Sequence, residues 1–231
     1  MPGRAAEPPT PPDVAAYFHS TPDATEADAS TGGEGGAESI YSDVIGDLTG
    51  HQTLDWAGIA WRAADNVGVA SDERGPGRLY IFLEGPEATH RPVARSQPLS
   101  TQCGTARCWL EELRIARQSV YVTWATSWHG CFDRSTSQFK RVGDRWRLVG
   151  VRRESREDPY GDDDLTPSRE VIVDRNALTG DTIVSVSIHD RHTMVRHMKI
   201  DAPSRWLEDY SLDLDFGVPH SRAIPVTCGR E

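Results

Sequence analysis

Short runs in which apolar and polar residues alternate fill most of the chain after residue 38, and turn residues separate these runs. In SVYVTWAT, Val120, Val122 and Trp124 occupy every second position. Side chains alternate between the two faces of a strand, so this spacing places the three residues on one face. The pattern predicts β-strands in four segments: DWAGIAWRA (55–63), RLYIFLE (78–84), SVYVTWAT (119–126) and RWRLVGVRRES (145–155).

Turn residues between such runs predict two hairpins. One covers residues 171–188 with a turn from Asn176 to Gly180, and the other has Gly143-Asp144 between its strands. The segment CWLEELRIARQ (108–118) fits either a helix or a strand that turns at Gln118-Ser119, and we favour the strand. The chain is therefore expected to be all-β and antiparallel, with about ten to twelve strands in a propeller-like or sandwich arrangement.

The first 38 residues are dominated by Pro, Ala, Gly, Asp and Glu. A segment of this composition buries too little apolar surface to fold. We expect a disordered tail over residues 1–38, either a tether or an ordinary flexible terminus, followed by a single β domain over residues 39–231.

The charge of the chain bears on its partners. The 231 residues carry a formal net charge of −10, with 35 acidic and 25 basic residues. This balance argues against binding to a phosphate backbone, so nucleic acid is not an expected partner. The sequence also lacks an apolar run long enough for a membrane span, and its first residues do not resemble a signal peptide.

The sequence contains four cysteines: Cys103, Cys108, Cys131 and Cys228. Their even number is typical of two disulfides. Zinc is the alternative, but its ligands normally come in closer pairs than those in CGTARC. If the disulfides form, the protein belongs to an oxidising compartment.

The segment GDLTGHQTLDWAGIAW (46–61) has the spacing of a calcium loop. Counting from Asp47, the residues Thr49, His51, Thr53 and Asp55 occupy alternate positions, where oxygen ligands would surround a hard cation. Only two of these residues are carboxylates, and histidine suits calcium poorly. We expect calcium to bind weakly or not at all, and no other cofactor. The aspartates are then expected to accept hydrogen bonds from turn amides.

This loop, followed directly by an apolar strand, resembles FG-GAP or VCBS repeats, whose usual form is DxDxDGxxD. The later segments RLYIFLE, RWRLVGV and NALTG extend the resemblance across about residues 40–188. The order of these segments is similar to that in a group of bacterial envelope proteins, which includes lipoproteins and secretion-system immunity proteins. The resemblance implies a stoichiometric inhibitor of a secreted effector that degrades the cell wall. It also implies a location in the periplasm or in association with the bacterial envelope. The alternative is a calcium- or carbohydrate-binding β module.

Candidate contact residues follow from this hypothesis. Trp128 lies beside Gly130, where an aromatic side chain could anchor an interface. Asp162, Asp163 and Asp164 form an acidic run suited to a basic, lysozyme-like effector, although such runs are usually solvated loops. His129 and Cys131 could form a thiol–imidazole pair, but no hydrolase motif accompanies them, so we do not expect an enzyme.

Overall fold

A computed structural model describes residues 14, 40–60, 77–84, 92–99, 102–103, 106–128, 131–157, 169–188, 191–200 and 204–211. In this part of the chain the regular elements after residue 40 are twelve β-strands and a 3₁₀ helix, Leu207–Asp209. The strands are β1 (Ile40–Gly46), β2 (Asp55–Ala60), β3 (Arg78–Phe82), β4 (Ala94–Arg95), β5 (Gln102–Cys103), β6 (Ala106–Ala116), β7 (Ser119–Trp128), β8 (Cys131–Val142), β9 (Arg145–Glu157), β10 (Arg169–Asn176), β11 (Asp181–Ile188) and β12 (Arg191–Lys199).

The strands form two antiparallel sheets. One sheet has four strands in the order β1-β2-β3-β4, and the other has eight in the order β12-β11-β10-β9-β8-β7-β6-β5. In both sheets, neighbours along the chain are neighbours in space. The all-β prediction is confirmed. The propeller-like alternative is wrong, because successive hairpins extend one open eight-stranded sheet. A propeller instead repeats separate four-stranded blades around an axis.

The strands and hairpins predicted from alternation are present where the structure describes them. Residues 61–63 of the first predicted strand lie outside the described residues, and β3 ends at Phe82, two residues before the predicted end. One predicted turn is displaced: Ser119 already pairs with Ala116, so the β6–β7 turn consists of Arg117 and Gln118. Both residues have positive φ angles, 50° and 57°. A two-residue turn with positive φ at both residues matches the right-handed twist of the flanking strands. The sequence prediction missed it because this conformation usually selects Asn or Gly.

The main core lies where the two sheets pack face to face. Ile59 and Ile81 from the four-stranded sheet join Val122, Trp124 and other residues of the eight-stranded sheet in one buried cluster. Trp124 is 0% exposed. Replacing such a side chain with alanine typically costs about 3–5 kcal/mol. Here we call the face of the eight-stranded sheet that carries Trp124 the inner face, and the opposite face the outer face.

Among the described residues, the register of the eight-stranded sheet shifts at three places, and the shifts in β6 and β9 change which residues reach the outer face. In β6 the register shifts between Leu110 and Glu112. In β9, Gln138 pairs with Gly150 while Phe139 pairs with Leu148, so one residue of β9 is extra. A bulge restarts the alternation of side chains and bends the strand. The bulges therefore decide the composition of the outer face.

The four-stranded sheet has a second buried cluster on its other side. It contains Trp56, Tyr80 and Phe82 together with Val14, which is helical and buried. Val14 is the only described residue of the first 39. At this position the chain packs against the domain. For the rest of residues 1–38, which lie outside the described part, the disordered tail stays a prediction.

Candidate functional site

The β1–β2 loop is organised by the carboxylate of Asp47. Its Oδ1 atom accepts hydrogen bonds from the backbone N–H of Thr49 at 3.1 Å and of Gly50 at 2.6 Å. Its Oδ2 atom accepts one from the N–H of Gln52 at 3.0 Å. Gly50 has a φ of +82°, a conformation that glycine adopts without strain. The carboxylate thus substitutes for the backbone acceptors that a tight loop lacks.

Asp55, at the start of β2, connects this loop to the end of β3. It is 0% exposed. Its Oδ2 atom accepts hydrogen bonds from the N–H of Leu48 at 2.7 Å and from the Thr53 hydroxyl at 2.8 Å. Its Oδ1 atom accepts one from the N–H of Glu84 at 2.9 Å, and Glu84 Oε2 accepts one from the N–H of Leu54 at 2.7 Å. The prediction that Asp47 and Asp55 bind backbone amides is confirmed.

These hydrogen bonds also affect the charge of the loop. Burial acts to raise the pKa of Asp47, but the backbone N–H groups of Gly50, Gln52, Thr49 and His51 together hold that pKa below its ordinary value of 3.8. Hydrogen bonds to the charged form favour ionisation. The loop therefore depends on an ionised Asp47.

The ligand set expected for calcium does not fit a tight cation site. Hydrogen-bond donors already occupy both oxygens of Asp47 and both oxygens of Asp55. The hydroxyls of Thr49 and Thr53 bond to each other at 2.9 Å, and His51 is exposed. The described residues contain no group of three or more His, Cys, Asp or Glu side chains that could hold a metal. Calcium would have to displace this network.

The strand register relates the predicted partner-binding segments to one another. Trp128 ends β7 and pairs with Cys131, which begins β8 and pairs with Glu157 at the end of β9. Glu157 in turn pairs with Arg169, which begins β10. The strand ends on either side of residues 129–130 and 158–168 are therefore adjacent. The side chain of Trp128, and all of His129, Asp162, Asp163 and Asp164, lie outside the described residues.

Two cysteines have a described state. Cys108 and Cys131 are each disulfide-bonded. The side chain of Cys103 and the whole of Cys228 lie outside the described residues. The connectivity of the four cysteines therefore stays a prediction.

An aromatic patch lies on the outer face at the same end of the eight-stranded sheet. Here we define the aromatic patch as Trp109, Phe132, Arg134, Glu111 and Glu154. The rings of Trp109 and Phe132 have centroids 6.4 Å apart, and Trp109 is 40% exposed. Arg134 places its guanidinium 5.5 Å from the centre of the Phe132 ring.

Carboxylates fix the position of Arg134 within this patch. The guanidinium binds both oxygens of Glu111, with Nε at 2.5 Å from Oε2, and its Nη1 lies 3.2 Å from Oε2 of Glu154. The hydrogen bond with Glu111 raises the pKa of Arg134 further, so the side chain stays charged. A bidentate pair holds the guanidinium plane in one orientation. The guanidinium of Arg134 is thus held in place before any partner binds.

Sequence reasoning missed the aromatic patch because alternation along CWLEELRIARQ (108–118) does not account for a bulge. Trp56, Trp124 and Trp146 are buried, but Trp109 is 40% exposed. Its neighbour Leu110 faces the core cluster, and the bulge at Glu111 then allows Leu113 to face it too. The adjacent carboxylates in LEEL, between two leucines, were the signal that could have revealed the bulge.

Comparison with known proteins finds no matching family model, curated protein or solved structure. The resemblance to FG-GAP-like envelope proteins therefore stays a prediction. Within the described part of the chain, no helix is long and apolar enough to cross a membrane.

Proposed function

We propose that the protein is a stoichiometric inhibitor, an immunity protein of the bacterial envelope that neutralises a secreted, cell-wall-degrading effector enzyme. The partner is a basic, lysozyme-like enzyme, and binding takes place in the periplasm. The identity of the partner rests on the resemblance described above. The binding mode rests on the aromatic patch.

The observation that carries the proposal is the exposed Trp109 beside Phe132 and Arg134. Tryptophan and arginine are enriched among the few residues that supply most of the binding energy in protein interfaces. Here Arg134 is already held by Glu111 and Glu154, so ordering its side chain on binding costs little conformational entropy, and Trp109 packs beside Phe132. An exposed aromatic cluster with these properties suits a protein partner.

The position of the aromatic patch and the net charge of the protein also favour this surface as the binding site. The patch lies at the end of the sheet where Trp128 ends β7 and where Glu157 and Arg169 flank the acidic segment. The net charge of −10 would attract a basic enzyme and increase the rate of encounter. Aromatic anchors and acidic residues would then contact the partner together.

The test is inhibition of co-encoded wall hydrolases by the purified protein. We expect complete inhibition at one equivalent. Trp109→Ala should weaken binding about thirtyfold, which corresponds to the roughly 2 kcal/mol of an interface hot spot. Val195→Ala removes another exposed apolar side chain, 57% exposed on β12, and should bind like the wild type.

Two results would contradict the proposal. One is full activity of every co-encoded wall hydrolase at a molar excess of the protein. The other is inhibition that neither Trp109→Ala nor Val195→Ala weakens. That result would show that the partner binds outside the aromatic patch. In the first case the calcium- or carbohydrate-binding module takes the place of the inhibitor.

A further inference from the structure

A groove crosses the outer face beside the aromatic patch. Its volume is about 490 Å³, and its lining extends from Arg114 on β6 to Ile183 on β11. This volume is within the range of about 300–1,000 Å³ that is typical of small-molecule sites. Tyr121, in its lining, is four residues along β7 from Ala125, which pairs with Trp109. The groove and the aromatic patch are therefore separate parts of one face.

The bulge in β9 shapes the floor of the groove. Gln138 pairs with Gly150 beside the extra residue, and both line the groove. A Cβ atom on residue 150 would lie 3.1 Å from Oε1 of Gln138. A side chain at residue 150 would therefore push the amide oxygen of Gln138 aside by a few tenths of an ångström, whereas glycine leaves it in place. A bulge bends its strand, and in β9 the bulge lies beside Gly150, which has no side chain.

Contacts within the protein hold the side chains of the groove in place. The guanidinium of Arg114 lies 3.9 Å from the centre of the Tyr121 ring, and its Nε donates to Glu112 at 3.3 Å. The side-chain amide of Gln138 donates to the Ser119 hydroxyl at 3.1 Å. Preorganised polar groups of this kind fix the orientation of a ligand.

The charged side chains that the outer face brings to the groove are balanced. Arg114 and Arg152 contribute two positive charges, and Asp174 and Asp181 contribute two negative ones. Arg175 also lines the groove, but it pairs with Val151 and Thr182, which are on the core side of the sheet, so its side chain belongs to the inner face. Arg152 is partly neutralised within the groove, with its Nη1 at 3.3 Å from Oδ2 of Asp174. A strongly charged ligand would meet both signs at close range. The balance favours a ligand without net charge.

The polar groups also match the chemistry of hydroxyls. A hydroxyl donates one hydrogen bond and accepts others. The groove provides acceptors in Gln138 Oε1 and the carboxylate of Asp181, and donors in the guanidinium groups and the amide of Asn176. Tyr121 and Ile183 add apolar surface, against which the C–H groups of a sugar ring can pack.

We propose that this groove is a binding site for an uncharged oligosaccharide. The sugar lies across the strands, with ring faces over Tyr121 and Ile183 and hydroxyls bonded to the amides, carboxylates and guanidinium groups. This site does not depend on the inhibitor function, because it uses residues outside the aromatic patch.

The test is calorimetric titration of the full chain with cellotetraose, chitotetraose and maltotetraose, with the acidic tetragalacturonate as a comparison. We expect saturable binding of at least one neutral sugar and none of the acidic one. Tyr121→Ala should weaken that binding about fivefold to tenfold because it removes the aromatic surface, whereas Tyr121→Phe should preserve most of it. Trp109→Ala should bind the sugar like the wild type.

Amide NMR spectra of the wild type test the same site without a substitution. The neutral sugar should shift the side-chain amide signals of Gln138 and Asn176. Absence of saturable binding of all three neutral sugars at millimolar concentration overturns the proposal. Stronger binding of tetragalacturonate, or sugar binding that leaves the Gln138 and Asn176 signals in place, also overturns it. Failure here leaves the inhibition assay unaffected, so the two proposals are tested separately.

Discussion

At the scale of single residues, the β1–β2 loop shows how two carboxylates can shape backbone without a metal ligand set. Asp47 accepts N–H groups from within the loop, and Asp55 accepts one from Glu84 after β3. The sequence was sufficient to predict these acceptors, because aspartate at a turn commonly bonds to nearby amides. The reciprocal bond of Glu84 to Leu54 was not predictable, since those residues are 30 positions apart and meet only through the β2–β3 pairing.

Asp47→Asn should lower the melting temperature, and the loss should depend on pH. The folded protein holds the pKa of Asp47 below 3.8, so its stabilisation is complete above the pKa of the unfolded chain. That stabilisation disappears as the pH falls through the lower folded value. The melting curves of wild type and variant should differ most at neutral pH and converge below pH 3.8.

The matched control for that measurement is Asp144→Asn in the exposed β8–β9 turn. Among the described contacts, Asp144 accepts no backbone hydrogen bond, so its replacement should leave the melting temperature nearly unchanged. A difference between wild type and Asp47→Asn that is constant from pH 7 to pH 2.5 would show that the ionised carboxylate is not the stabilising form.

At the scale of elements, alternation was enough to predict the strands but not the two surfaces of the long sheet. Val120, Val122 and Trp124 face the core as their spacing predicts. The bulges in β6 and β9 shift the register locally. The sequence LEEL is a signal for the bulge in β6, but the bulge in β9 can be recognised only against its partner strand. The aromatic patch and the groove both lie next to a bulge, so both were missed.

The sheet also restricts the disulfides. Cys108 on β6 and Cys131 on β8 flank β7, so two strand spacings, about 10 Å, separate their strands. Disulfides require Cα atoms within about 7 Å. We expect Cys108 and Cys131 to bond separately, one to Cys103 and the other to Cys228. Peptide mapping without reduction should give no fragment that joins Cys108 to Cys131, and such a fragment would contradict the register.

At the scale of the whole molecule, one face of the long sheet carries both proposed sites, and charge distinguishes them. The outer-face side chains of the groove, Arg114, Arg152, Asp174 and Asp181, are balanced in charge, whereas the molecule as a whole carries −10. Long-range attraction therefore acts on a charged protein partner and not on a neutral sugar. Salt should weaken association with the effector and leave the sugar affinity nearly constant.

The acidic segment provides the last prediction. The triple variant Asp162→Asn, Asp163→Asn, Asp164→Asn removes three negative charges from residues 158–168, the segment that joins the paired strand ends Glu157 and Arg169. Charges at the rim of an interface mainly change the rate of association, whereas buried anchors mainly set the rate of dissociation. Surface plasmon resonance with the inhibited effector should show slower association with little change in dissociation. Trp109→Ala should instead show faster dissociation with little change in association.

At high salt, the association rates of wild type and triple variant should converge, because screening removes the attraction that the aspartates supply. A triple variant whose main change is faster dissociation would place those aspartates in buried contact with the partner and would contradict a purely steering role.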